Sequence, residues 1–220
     1  MALPGLPPEV NEGARTVVLV EGTSDQVALQ ALAARRGRDL AAEGVLVVPM
    51  GGASNIGRFL ELFGPRGLDL ALAGLCDARE EDAFRRGLER AGLGANLGRA
   101  ELASLGFYVC VADLEDELIR CLGGAAVEQV LEGQGELGSF RIFQRQPAQR
   151  GRALQEQLRR FLGTRSGRKR RYARLLVEAL DLTGVPEPLD RLLAHTDAAN
   201  PGPGAAPRTP RPGRPAGSGR

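Results

Sequence analysis

Four short apolar runs, at 16–20, 45–48, 68–75 and 107–111, punctuate the first half of the chain. None alternates with polar residues, the pattern of strands buried on both faces. Between them, 24–36, 53–63 and 79–91 read as helices, the first packing through Val27, Leu29, Leu32 and its alanines. The fourth run leads into an acidic helix start, "ADLEDELIRCLG", at 112–123. Strands separated by helices of this length predict a parallel sheet of about four strands covered on both sides, a doubly wound, Rossmann-like α/β fold.

Beyond Gly123 the strand signal fades. Helices are predicted at 127–131, 152–162, 169–182 and 188–194, an α-helical extension packed on the sheet. The chain thus divides into a Pro/Gly-bearing leader at 1–14, an α/β domain at 15–123, a helical basic extension at 124–195 and a tail at 196–220. The tail is Pro, Gly, Ala and Arg with little to bury, a composition that predicts disorder.

With 43% apolar residues the chain can build a core, and its net charge of +2 excludes nothing by itself. The distribution of charge is more telling. Between Arg141 and Arg174 lie twelve basic residues and one acid, Glu156. Such a run suits the phosphates of a nucleic acid, with Arg165, Arg168, Lys169, Arg170 and Arg171 at its densest part; the plainer alternative is a solvated helical face. Lys169 is the sole lysine against 28 arginines. Three cysteines without CxxC spacing predict reduced thiols in the cytoplasm, and neither a signal peptide nor a membrane span is visible.

Chemistry gathers where the strands end. In an open parallel sheet, ligands bind outside the carboxyl ends of the strands. Glu21 closes the first run in "VVLVEGTSD", Asp25 lies four residues later, Asp77 closes the third run, and Asp113, Glu115, Asp116 and Glu117 follow the fourth. Clustered carboxylates raise one another's pKa unless a cation neutralises them, and hard oxygen ligands suit Mg²⁺ or Mn²⁺. Each acid also has a structural alternative. Asp25, Asp77, Asp113 and Asp116 could serve helix N-termini, with Ser24 or Thr23 capping the first helix. Glu21 has no such job. His195 and Tyr172 are assigned no role.

These residues resemble the TOPRIM domain, most closely the TOPRIM nuclease domain of the overcoming-lysogenization-defect (OLD) family. The resemblance rests on Glu21-Gly22 with Asp25, on Gly51-Gly52 after the second strand, on Asp77, on Leu114-Glu115, and on Lys169 in the helical part. It implies a TOPRIM-type fold and a metal-dependent phosphodiester hydrolase acting on nucleic acid, with DNA favoured. In that reading Glu21, Asp25, Asp77 and Glu115 hold Mg²⁺ or Mn²⁺, Glu21, Asp77 and Lys169 act in catalysis, and Gly22, Gly51 and Gly52 allow close backbone approach. Two departures stand out. The usual Asp-x-Asp is here Asp77-Ala78-Arg79, so that Glu80, Glu81 or Asp82 would have to supply a missing ligand. No G-x-x-x-x-G-K-[ST] loop is present, implying a stand-alone TOPRIM protein with a separate ATPase partner or none. The competing readings are a degenerate TOPRIM module that binds nucleic acid or an ATPase, and an unrelated α/β domain for a nucleotide or small phosphate ester.

Overall fold

The computed structural model describes residues 13–164 and 167–199. Four strands, β1 (Thr16–Val20), β2 (Val45–Pro49), β3 (Ala71–Asp77) and β4 (Phe107–Cys110), form one parallel sheet in the order β2-β1-β3-β4. β1 runs between β2 and β3, with Val20 level with Pro49 on one side and Leu75 on the other. The chain leaves β1 toward β2 and returns to the far side as β3. The carboxyl ends of β1 and β3 therefore flank the crevice where the strand order reverses. Gly74 occupies the middle of β3 because a Cβ there would stand 2.8 Å from the Leu19 carbonyl oxygen and 2.7 Å from the Phe107 ring.

Two apolar cores cover the sheet. On one face Val17 and Leu19 meet α2 (Ile56–Phe63) and α3 (Glu81–Arg90) through Ile56, Leu60, Phe63, Phe84 and Leu88, joined by Leu102 of α4 (Arg99–Ser104). On the other face Val18 and Val20 meet Ala28, Leu29 and Leu32 of α1 (Thr23–Arg35). That second core continues without a break through α5 (Leu114–Leu122), α6 (Gly124–Gly133), α7 (Leu137–Arg145), α8 (Leu154–Leu162), α9 (Arg168–Ala179) and α10 (Glu187–Ala199). α9 packs along α1, and α10 returns to β3 and β4. The boundary expected near 123 marks a turn at Gly123, with φ of +77°, and not a division of the core.

Several predicted boundaries move. The third strand begins at Ala71, not at 68, because 64–70 close α2: Leu68 N–H donates to the Leu62 carbonyl and Leu70 N–H to that of Phe63. α4 and α7 had no prediction. α7 shows only Leu137, Phe140 and Phe143 as its apolar stripe, with Gly135 and Gly138 at its start. The last helix runs to Ala199, beyond the tail boundary expected at 196. Thr196 is fully buried there, with its hydroxyl donating to the Leu193 carbonyl. Residues 200–220 of the predicted tail, and 1–12 of the predicted leader, lie outside the described residues.

One polar junction ties the two ends of the described chain together. Arg38 donates to Glu43, to the Leu193 carbonyl and to the Thr196 hydroxyl, and pairs with Asp197 at 2.9 Å. Arg15 donates to the Glu43 carbonyl and to the same loop's neighbourhood, its N–H reaching the Gly44 carbonyl at 2.8 Å. This junction lies at the amino ends of the strands.

Candidate active site

The acids predicted at the strand ends do converge on the carboxyl edge of the sheet. Val20 is level with Leu75, so Glu21 comes level with Cys76 and one residue short of Asp77 on the adjacent parallel strand, about 4.8 Å away. Gly51 and Gly52 fold over this edge. Their N–H groups both donate to the Glu21 carbonyl, at 3.0 and 3.1 Å, and their φ values of +71° and +122° favour glycine. Little stands near either Cβ position, so backbone conformation and not a close approach demands glycine there. Gly22 caps α1 in extended conformation, open to any residue. Its N–H donates to Asp25 Oδ2 at 2.8 Å, the acidic half of a capping box that glycine has no side chain to complete.

The four acids after β4 separate by task. Asp113 caps α5, accepting the Asp116 N–H at 2.8 Å, and Arg159 Nη2 pairs with it at 2.5 Å. Asp116 pairs with Arg120, and Glu117 accepts the Val111 N–H at 2.7 Å. Glu115 alone has no structural partner of this kind. Its side chain is 3% exposed, and its Oε1 accepts no hydrogen bond among the described residues. Lys169 Nζ, on α9, stands 3.0 Å from Glu115 Oε2 and forms an ion pair with it. Glu21 likewise has a buried oxygen, Oε2, without a partner.

Uncompensated burial of this kind shifts proton affinities. Burial, reinforced by the charges of Glu21, Asp113 and Asp25, raises Asp77 to about 7. Burial also raises Glu115 to about 7, against the opposing charge of Lys169. Glu21 is raised by burial and then by Asp25 and Glu80, and Asp25 chiefly by burial. For Lys169, burial acts to lower the ammonium, but Glu115, Asp25 and Asp113 outweigh it and the net shift is upward. Four acids and one lysine from five segments therefore feel one another's charge.

Among the described residues no three ligand-type side chains are drawn together tightly enough to grip an ion as they stand. The donor set nevertheless suits a hard divalent cation: carboxylate oxygens, buried, short of hydrogen bonds and with raised proton affinity. Of the substitutes for the missing second acid, Glu81 pairs with Arg99 at 2.8 Å and Asp82 with Arg85 at 2.7 Å. Glu80 is the one whose charge reaches Glu21.

Beside these acids a cleft of about 380 Å³ is lined by Arg79, Asp113, Glu115, Glu156, Arg159, Arg160, Gly163 and Lys169. The basic run contributes to it less simply than its composition suggests. Arg168 does not face a ligand. It is buried over the Phe161 ring at 4.1 Å, paired with Glu136 at 2.8 Å and donating to the Phe161 carbonyl, so its place is in the core. Arg171 pairs with Glu136, Arg141 with Glu128, Arg152 with Glu156 and Arg174 with Glu178. Acids mostly from outside the run, or at its margin, neutralise much of it. Arg170 is exposed without an ion pair among the described residues, and Arg165 lies outside them. Arg79, Arg159, Arg160 and Asp113 were not singled out as site residues by sequence; the signal available was their spacing from Asp77, Lys169 and Glu115. Tyr172 is buried in the core, and His195 is half-buried, its ring edge-on to Tyr108. Among the described residues no helix is long and apolar enough to cross a membrane.

Residues 14–78 match the family profile described as overcoming lysogenization defect protein-like, TOPRIM domain. A comparison with curated proteins finds no significant match. Among solved structures, the C-terminal region of the Burkholderia pseudomallei OLD protein aligns with a TM-score of 0.67 at 20% identity, covering 84% of this chain and 98% of that one. The C-terminal region of the Xanthomonas campestris pv. campestris OLD protein aligns with a TM-score of 0.65 at 23% identity, covering 87% and 96%. Glu21, Gly22, Asp25, Gly51, Gly52 and Asp77 all fall inside the matched segment. Residues 14–78 thus match the OLD-like TOPRIM domain family, and the chain around them has the fold of an OLD C-terminal region.

Proposed function

We propose that this protein is a metal-dependent hydrolase of nucleic-acid phosphodiesters, with DNA as substrate. The observation that carries the proposal is the pair of buried carboxylate oxygens left without a partner, Glu21 Oε2 and Glu115 Oε1, at the carboxyl edge of the sheet. A buried carboxylate oxygen without a hydrogen bond costs on the order of 1–3 kcal/mol, and a cation at this edge would offset that cost beyond what Lys169 supplies to Glu115. Glu21, Asp25, Asp77 and Glu115 would hold Mg²⁺ or Mn²⁺, which when bound supplies positive charge to a phosphate and lowers the pKa of water.

The chain's own groups do the rest. Asp77 and Glu115, at about 7, lose their protons readily as positive charge arrives. Lys169 stays protonated and can donate to a phosphate oxygen, stabilising charge that develops there. Arg159 holds Asp113, and through it the first turn of α5 that carries Glu115. Gly51 and Gly52 hold the backbone of Glu21.

Incubation with supercoiled plasmid and Mg²⁺ or Mn²⁺ tests the proposal. Nicking that EDTA stops and Glu21→Ala reduces at least 100-fold, on the order of a lost charge-stabilising group, is the expected result. A second reading, a non-catalytic module that binds DNA or an ATPase partner, is favoured by Arg79 in place of an acid and by the open spacing of the carboxylates. Salt-sensitive DNA binding without nicking in either metal would select it.

A further inference from the structure

The cleft holds four cations, but two of them are already committed. Arg159 pairs with Asp113 and Lys169 with Glu115. Arg79 and Arg160 line the same cleft, are exposed, and have no ion pair among the described residues. They come from unrelated elements, Arg79 from the turn after β3 and Arg160 from α8, and so meet only through the fold. The same cleft is lined by Asp113, Glu115 and Glu156, acids that repel any polyanion lacking positive guides. Two unpaired guanidiniums in such a cleft match phosphate oxygens, because each presents a planar fork of donors and keeps its charge at every working pH.

Resting on the proposed function, we propose that Arg79 and Arg160 form a clamp on DNA phosphates flanking the one held over Asp77 and Glu115. Arg79 then marks an exchange of roles. The position two residues after Asp77 positions substrate instead of supplying an oxygen ligand. Both arginines are positioning residues, acting on the nucleic acid and not on the reacting atoms. The clamp favours substrates with phosphates on both sides of the cut, so internal phosphodiesters are preferred over small diesters and chain ends.

The test measures binding of a fluorescent duplex oligonucleotide across a range of KCl concentrations, beside Mn²⁺ titration of the same proteins. Arg79→Ala and Arg160→Ala are each expected to weaken binding roughly 5- to 10-fold and to lower the salt slope by about 1, the signature of one lost phosphate contact. In cleavage assays, KM is expected to rise more than kcat falls. Arg145→Ala, an exposed arginine of the same basic run away from this cleft, serves as the comparison and is expected to alter the slope less. Arg79→Asp, which restores the Asp-x-Asp pattern, is expected to weaken DNA binding further without tightening Mn²⁺.

An unchanged slope in both alanine variants, with wild-type binding intact, overturns the clamp and leaves the proposed function standing. Tighter Mn²⁺ binding and faster cleavage by Arg79→Asp also overturns it, showing a lost ligand and no gained contact. Absence of salt-dependent DNA binding by the wild type removes the proposed function itself, and the clamp with it. Thermal unfolding of each variant confirms that the exposed substitutions leave the fold intact.

Discussion

The two faces of the sheet are closed in different ways. One face is covered by α2, α3 and α4, all of which fall between β2 and β4 in the chain. The other is covered by α1, on which α9 packs, and by α10, and both α9 and α10 begin more than a hundred residues after β1 ends. The first face is a local packing problem. The second is also a delivery route: α9 lies along α1 and brings Lys169 to Glu115, Asp25 and Asp113. The difference suggests that one face chiefly maintains the fold, while the other maintains the fold and sets the site.

The sharpest way to break this comparison is Lys169→Ala. A loss of nicking of about 100-fold with little change in Tm is expected, since the side chain is half exposed and its role is charge. A loss below threefold would leave α9 with a purely structural role.

Next in size are paired core truncations. Leu60→Ala on α2 and Leu176→Ala on α9 are both fully buried changes, each expected to cost about 2–5 kcal/mol in denaturant unfolding. At a temperature where both remain folded, only Leu176→Ala is expected to lower kcat, because it loosens the helix that carries Lys169. Equal kcat values would dissolve the distinction between the faces.

A third expectation concerns pH. Asp77 and Glu115 sit at about 7 in the folded state, against roughly 4 in an unfolded chain. The folded protein therefore retains protons that the unfolded chain has released between those values. The stability these two groups provide is full below about pH 4 and is lost as pH rises through 7. In EDTA, the Asp77→Asn/Glu115→Gln double variant is expected to melt above the wild type at pH 8 and to converge with it near pH 4. Millimolar Mg²⁺ is expected to raise the wild-type Tm at pH 8 more than that of the variant. The smallest effect belongs to the surface: Arg174→Ala removes an exposed pair with Glu178 and is expected to change stability by less than about 0.5 kcal/mol.

Much of the first face and of the acidic edge could be read from the chain alone. β1 and β2 are unbroken apolar runs, and Glu21 at the end of one is an acid with no capping task. α7 escaped because its apolar stripe is short and glycine-flanked, and α4 because six residues hold barely one period of a helix. The basic run misled for another reason. Its composition is visible in sequence, but Glu136, Glu128 and Asp113, which neutralise it, are distant along the chain and meet it only after folding. Arg168 shows the effect most clearly, since a residue in the densest basic stretch ends buried over an aromatic ring. Asp113, for which the sequence offers a place in an acidic first helical turn, caps α5, yet its charge also reaches Glu21, Asp77 and Lys169. One side chain can hold both positions because capping uses one carboxylate oxygen and leaves the other for Arg159.

The Arg38 junction has a practical bearing on how the molecule can be rebuilt. It gathers Thr196 and Asp197 to the same loop that receives Arg15, at the amino ends of the strands. The cleft opens at the opposite ends, about five residues of extended strand away, or roughly 17 Å. A short peptide could therefore bridge the ends of the described residues in a circular permutant without crossing the cleft. A reporter or second module joined directly to either end of the described residues would share one pole, leaving the opposite pole open to a long polymer.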